Sequence, residues 1–99
     1  MTEFADFVWE ERRLLMLQLL DSQVDGSAGD RTLVQGLRAM GHDVTLDQVQ
    51  THLAWLGEQR IVNLIKLNGG LLSASITQRG SDIAKGRSNV PGVLRAGRI

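Results

Sequence analysis

Apolar residues in the first 58 positions recur at the spacing expected of three separate helices. From position 3 to position 20 they fall every three to four residues, the repeat of an α-helix with one apolar face. The repeat returns between Asp30, a candidate N-cap, and Gly41, which suits a left-handed C-terminal cap. It returns again from position 45 to position 58. The pattern therefore predicts three consecutive helices, joined by a polar loop and a short turn.

The period changes after residue 60, where two short apolar runs enclose a turn. Residues 61–67 and 71–76 have the length and composition of β-strands, and Asn68-Gly69 between them tolerates the positive φ angles of a tight turn. Thr77 is a natural N-cap for a fourth helix that ends near Gly86. We therefore expect a β-hairpin that is followed at once by a short helix.

The third helix is the best defined of these elements. It begins with Thr45 and Gln48, a pair that fits the capping box because each side chain can bond the backbone N–H of the other residue. Its apolar stripe is predicted to pack on the second helix and on the first strand. Seven residues are expected to be buried together: Leu33, Leu37, Leu46, Val49, Leu53, Leu56 and Ile61.

The first helix carries more apolar surface than one core face needs. Phe4, Val8, Leu15 and Leu19 share one face, while residues 14–20 are apolar almost all round. We therefore expect a homodimer through this helix. The alternative is that the small domain wraps the helix completely.

Composition is typical of a small protein in a reducing compartment. The 99 residues are 42% hydrophobic and predict one domain over residues 1–87, followed by a basic tail over 88–99. The absence of cysteine excludes disulfides and thiolate metal sites. The start, MTEFADFVWEERR, lacks the charge pattern of a signal peptide, and the run LLMLQLL is too short to cross a bilayer. A cytoplasmic protein without membrane contact is expected.

The net charge of zero hides an asymmetry between the two halves of the chain. Residues 1–58 hold four arginines against ten acids, whereas residues 59–99 hold seven basic residues against one acid, so their net charges are −6 and +6. A basic half can form a surface that meets an anion. The alternatives are that the halves attract each other, or that the basic tail only aids solubility.

Two segments resemble winged helix-turn-helix proteins of the ArsR-like and MarR-like type. They are TLDQVQTHLAWLGEQRIVNL at 45–64, which resembles a recognition helix and the strand after it, and SITQRGSDIA at 75–84, which resembles the Thr-x-x-Gly start of the closing helix. The resemblance implies a mainly α fold with a β-hairpin wing, of class α+β, in the order helix-helix-helix-strand-strand-helix. The short chain and its tail also resemble small winged-helix proteins of Mu-like phages and prophages.

This resemblance implies a small DNA-binding transcriptional regulator of phage or prophage origin. In such proteins the third helix enters the major groove of double-stranded DNA and the wing touches the backbone or the minor groove. Glutamine and threonine can read base edges, and scattered basic residues can follow phosphates. The residues expected to contact nucleic acid are Gln48, Thr51, His52, Arg60, Lys66 and Arg79.

Three residues of the third helix argue for a different partner. Asp47 and Glu58 lie on the face opposite the apolar stripe, where carboxylates repel phosphates. Trp55 on that face could anchor a protein interface, or could lie half-buried at the edge of the core. The alternative function is therefore a winged-helix protein-interaction or assembly module without DNA binding.

Metal binding and catalysis find no support in the sequence. The two histidines, His42 and His52, are not at a paired ligand spacing. The nucleotide-binding and nucleophile motifs rich in glycine are absent, and Gly69-Gly70 does not lead directly into a helix. We therefore expect no enzyme activity, no cofactor and no small-molecule ligand.

Overall fold

The computed structural model describes residues 2–97, which form four helices and three strands. In chain order these are α1 (Thr2–Asp21), β1 (Ser27–Gly29), α2 (Asp30–Ala39), α3 (Leu46–Glu58), β2 (Val62–Lys66), β3 (Leu72–Ile76) and α4 (Gln78–Ala84). A single 3-10 turn, Asn68–Gly70, joins β2 to β3. The predicted class, α+β with a β-hairpin before the last helix, is therefore confirmed.

The strands form one antiparallel sheet in the order β1-β3-β2. Strand β1 was not predicted, so the observed order differs from the expected one by a strand between α1 and α2. It pairs Ser27 with Ser75, and the two hydroxyl oxygens lie 2.7 Å apart. The three small residues of β1 show no alternation of apolar and polar side chains, so their sequence does not predict a strand. The strand forms because β3 offers a free edge with which it can pair.

The core lies between α1, α2, α3 and one face of the sheet. Six of the seven residues predicted to be buried together are so, and the seventh, Leu46, is half-buried against them. The apolar face predicted for α1 meets the core only in part: Leu15 and Leu19 are half-buried against the core, whereas Phe4 is 70% exposed. The residues of α1 that enter the core are Leu14, Met16, Leu17 and Leu20. They lie further along the helix, because its first two turns extend beyond the core.

Two of the three predicted N-caps are confirmed. Thr45 forms the complete capping box with Gln48, and the Thr77 hydroxyl accepts the Gly80 N–H. The prediction that Asp30 caps α2 is wrong, because Gly29 occupies the N-cap position and Asp30 is the first helical residue.

Glycines in the left-handed region end α2 and α4. The φ angles of Gly41 and Gly86 are +91° and +79°. After each glycine, the next N–H donates to the carbonyl five positions earlier, as in the Schellman motif. The predicted ends of both helices are therefore confirmed.

Two other glycines allow close packing. A Cβ on Gly80 would collide with the Ile61 carbonyl oxygen, so the first turn of α4 rests directly on the chain before β2. A Cβ on Gly36 would lie 2.8 Å from Cδ1 of Leu19, which marks the crossing of α1 and α2. The Thr-x-x-Gly pattern thus has a packing reason: Thr77 caps the helix and Gly80 lets it approach.

The segment after α4 packs on the domain as far as it is described. Val90 and Val93 are buried, and the Leu94 N–H donates to the Glu10 carbonyl at 3.1 Å. Residues 98 and 99 of the predicted basic tail lie outside the described residues.

Candidate nucleic-acid interface

The exposed side of α3 carries two of the predicted nucleic-acid contacts. Gln48 and Thr51 are both exposed. Oε1 of Gln48 accepts the Thr45 N–H at 3.0 Å, and the Thr51 hydroxyl donates to the Asp47 carbonyl at 2.9 Å. Both side chains face solvent but are held by local bonds. Recognition of a base by both ends of the Gln48 amide would require the capping box to open.

His52, one of the residues expected to contact nucleic acid, does not lie on the exposed side of α3. His52 is 4% exposed, because α1 packs across this side of α3. Its Nδ1 accepts a hydrogen bond from Nε of Arg13 at 3.1 Å, and the Trp9 ring meets it edge-on at 5.9 Å. The neutral ring therefore carries its proton on Nε2. His52 joins α3 to α1 and is not a surface contact.

Burial and two arginines keep His52 neutral. They lower the pKa of His52 from 6.5 to about 4, with burial the largest cause, followed by the positive charges of Arg13 and Arg12. Desolvation also lowers the pKa of Arg13, and the charge of Glu10 opposes that effect. The imidazole accordingly serves as a hydrogen-bond acceptor for the half-buried Arg13 at neutral pH.

Arg13 connects three parts of the molecule, and sequence reasoning missed it. Its guanidinium lies 4.2 Å from the ring centroid of Trp55, and its Nη1 donates to the Gly92 carbonyl at 3.0 Å. Trp55 is half-buried beneath this contact, as one of the two sequence interpretations proposed. The available signal was a cation at the start of an otherwise apolar helix segment, where burial requires partners.

A shallow pocket of about 100 Å³ lies between α1 and α3. The residues that line it are Trp9, Arg13, Asp47, Gln48, Thr51 and His52. It thus borders the part of α3 that carries the predicted base-reading residues.

A buried carboxylate fixes the hairpin to α2 and α3. Asp30 is 1% exposed, and its Oδ2 accepts from Nε2 of Gln50 at 2.7 Å and from the Leu72 N–H at 2.9 Å. Nε2 of Gln50 also donates to the Gly70 carbonyl at the hairpin turn, at 2.9 Å. The hairpin is therefore held against α3 by side chains from two helices. Sequence reasoning could not find this role of Asp30, because it depends on residues 20 and 42 positions away.

The three predicted basic contacts, Arg60, Lys66 and Arg79, are all exposed. The Thr77 hydroxyl donates to the Arg60 carbonyl at 3.0 Å, which places the first turn of α4 beside residue 60. Arg60 and Arg79 therefore lie on elements that meet at the base of the hairpin. Lys66 ends β2 and lies next to the hairpin turn, at the other end of the strand.

Arg60 holds an unfavourable backbone conformation. Its φ is +60°, and the Ile61 N–H donates to the Leu56 carbonyl at 3.0 Å, so Arg60 occupies the position that glycine holds after α2 and α4. A left-handed conformation costs a residue with a side chain about 1–2 kcal/mol. The sequence contained no sign of this strain beyond the polar link at the end of the predicted helix.

Few ion pairs join the acidic and basic halves of the chain. Among residues 2–97 there is one pair between a lysine or arginine and a carboxylate, Lys85 with Asp21 at 3.5 Å. His42 also lies 3.7 Å from Glu11. Most of the charge asymmetry therefore stays on the surface.

Two other expectations concern a metal site and a membrane-spanning helix, neither of which the sequence predicts. Within the described chain, no group of three or more histidine, aspartate or glutamate residues is placed to hold a metal ion. No helix of residues 2–97 combines the length and apolar character needed to cross a membrane.

Comparison with known proteins identifies a phage relative. Over 90 residues the chain is 38% identical to the protein gp26 of Escherichia phage Mu, and the match spans 91% of the chain and 92% of the phage protein. The chain belongs to the family of this phage Mu protein. A Haemophilus influenzae protein is 38% identical over 76 residues, which are 77% of the chain and 74% of that relative. No family model and no solved structure matches the chain.

Proposed function

We propose that this protein is a small winged-helix protein that binds double-stranded DNA, a transcriptional regulator of phage or prophage origin. The observation that carries the proposal is the attachment of the hairpin to α3 through Gln50 and Asp30. It makes the exposed side of α3 and the hairpin parts of one rigid unit. In this proposal α3 is the recognition helix and the hairpin is the wing. The relationship to a phage protein supports the origin.

Phosphate contacts come from the exposed basic residues near the hairpin. Arg60 and Arg79 at its base and Lys66 near its turn approach the DNA backbone, while Thr51 and Gln48 meet base edges. Asp47 and Glu58 on the exposed side of α3 oppose this contact, because each carboxylate repels phosphate. The proposal therefore expects modest affinity with a marked dependence on salt.

Binding to a fluorescent random-sequence duplex, followed by anisotropy at several salt concentrations, tests this function. Lys66→Ala and Arg60→Ala should weaken binding to every sequence and lower the salt slope by about one unit for each lost phosphate contact. Gln48→Ala should instead change sequence preference, because Nε2 of Gln48 is not used by the capping box and can donate to an acceptor on a base edge. Arg95→Ala, in the segment that packs on α1 after α4, is the matched control for loss of an exposed positive charge. Equal losses in Arg95→Ala and Lys66→Ala would argue against a specific surface.

A second candidate function is a protein-interaction or assembly module. It is favoured by three aromatic residues at the start of α1: Phe4 is 70% exposed, Phe7 43% and Trp9 50%. Such a concentration of exposed apolar surface is typical of a protein-binding site. A homodimer through α1 belongs to this proposal. If neither wild type nor the Asp47→Asn, Glu58→Gln double variant binds duplex at low salt, the second candidate replaces the first.

A further inference from the structure

The start of α1 projects from the domain with an unpartnered aromatic pair. Residues 3–7 are all exposed, and Phe4 and Phe7 lie three residues apart, on the same side of the helix. We call this pair the aromatic ridge. Trp9 points to the other side of α1, where it lines the pocket beside α3. Two neighbouring phenylalanines that are 70% and 43% exposed indicate that something covers them.

The charge around the aromatic ridge is uniformly negative. Glu3, Glu10 and Glu11 are the helical neighbours of Phe7 at spacings of three or four residues, and residues 3–11 contain no lysine or arginine. Two ridges packed face to face would bring these carboxylates together, which is unfavourable. The partner of the ridge is therefore apolar and carries positive charge.

The same chain offers such a surface beside the hairpin. A pocket of about 280 Å³ lies between the hairpin and α3, and we call it the leucine pocket. The residues that line it are Gln50, Lys66, Leu67, Gly70, Leu71 and Leu72. Leu67 is 48% exposed, and Lys66 is exposed and has no carboxylate partner within residues 2–97. Apolar walls with a cation at the rim match the ridge in both apolar character and charge.

We infer that copies of this protein associate by placing the aromatic ridge of one copy in the leucine pocket of another. Phe4 and Phe7 bury their rings against the three leucines, and Lys66 meets the carboxylates that flank Phe7. The contact joins unlike surfaces, so two copies exchange it reciprocally, or it continues from copy to copy as a closed ring or an open chain. The proposed contact names the surface that packs against α1 when copies associate, and it does not depend on DNA binding.

Sedimentation velocity over a range of concentrations tests this contact with two uncharged variants. The ridge variant is Phe4→Ser, Phe7→Ser, and the pocket variant is Leu67→Ser, Leu71→Ser. Each variant alone should be monomeric at concentrations where the wild type associates. An equimolar mixture should form a complex, because the intact pocket of the first accepts the intact ridge of the second. Circular dichroism of each variant establishes that both are folded.

Three other outcomes would overturn the inference. If the pocket variant associates like the wild type while the ridge variant is monomeric, the ridges meet each other. If the wild type remains a monomer at high concentration, the ridge has a different occupant. If the mixture stays monomeric, the two surfaces do not meet. Since the ridge variant changes neither a charge nor a residue of α3 or the hairpin, its duplex binding at high dilution separates a failure of this contact from a failure of the DNA proposal.

Where serine at position 71 disturbs the fold, a charge exchange gives an independent test. Lys66→Glu and Glu3→Lys should each weaken association several-fold, and a mixture of the two should recover it, because the opposite charges meet again. Absence of recovery in a mixture of folded variants would contradict the proposed pairing.

Discussion

The two sides of α3 follow different physical rules, although they alternate along the same 13 residues. Leu53 is completely buried, whereas Thr51, two positions earlier, is exposed. On the inner side each residue is constrained by packing, so its identity decides stability. On the outer side the residues contact solvent and each other, so their side chains can contribute to binding with little effect on stability. Stability and function can therefore be altered separately on this helix.

The largest expected effect is on the inner side. Leu53→Ala should lower the free energy of unfolding by about 2–5 kcal/mol, because it removes packed methyl groups and leaves a cavity. Thr51→Ala is the matched change on the outer side and should stay within about 0.5 kcal/mol. Urea denaturation of both variants measures the difference. Similar losses would mean that the two sides are not distinct.

His52 should make stability fall in acid. Its pKa is about 4 when folded, against an ordinary value of 6.5, so between these values the unfolded chain binds a proton that the folded chain does not. The contribution of His52 to the free energy of unfolding is therefore fully present well above pH 6.5. The free energy of unfolding should fall by about 1–2 kcal/mol between pH 7 and pH 5, allowing for solvent screening. The charges near the ring are Arg13, Arg12 and Asp47.

His52→Gln is the control for this acid effect. The amide oxygen can still accept a hydrogen bond from Arg13 but does not titrate, so denaturation curves at pH 5 and pH 7 should lie closer together than in the wild type. An unchanged pH dependence in the variant would assign the effect to other groups.

The inner side of α3 and its caps were largely predictable from sequence, and the cluster around His52 was not. Leu53, Leu56 and the Thr45 cap follow from local spacing and hydrogen-bond chemistry. The burial of His52 depends on Arg13, 39 positions away, and a helical repeat contains no information about what packs over its edge. The hydrogen bonds of the buried Asp30 could not be predicted for the same reason, since its partners come from α3 and the hairpin. Among the site residues, exposure of Gln48, Thr51, Arg60, Lys66 and Arg79 agrees with the sequence interpretation.

Arg60 follows the last residue of α3, and its replacement should affect stability and the proposed DNA contact in opposite directions. Arg60→Gly should raise the free energy of unfolding by up to about 1 kcal/mol, because glycine accepts the left-handed conformation without strain. If the guanidinium contacts phosphate, the same change should weaken duplex binding. Gly41→Ala is the reverse control: it places a side chain in the equivalent left-handed position after α2, where space is open, and should lose about the same stability without a change of charge that would alter binding. Loss of stability in Arg60→Gly would show that the side chain has a structural role instead.

The smallest expected effect on stability is on the outer side, and it best separates the two candidate functions. Asp47→Asn and Glu58→Gln should each change the free energy of unfolding by less than about 0.5 kcal/mol, since both carboxylates are exposed and have no ion-pair partner within residues 2–97. If α3 faces DNA, removing each charge should tighten duplex binding by on the order of 0.5 kcal/mol, about fivefold for the pair at low salt. Asp43→Asn, in the loop before α3, controls for the change in net charge alone. An equal gain from Asp43→Asn would indicate a general charge effect. No gain from the pair, in a protein that binds duplex through Arg60 and Lys66, would mean that α3 faces away from DNA and that its outer side is left for a protein partner.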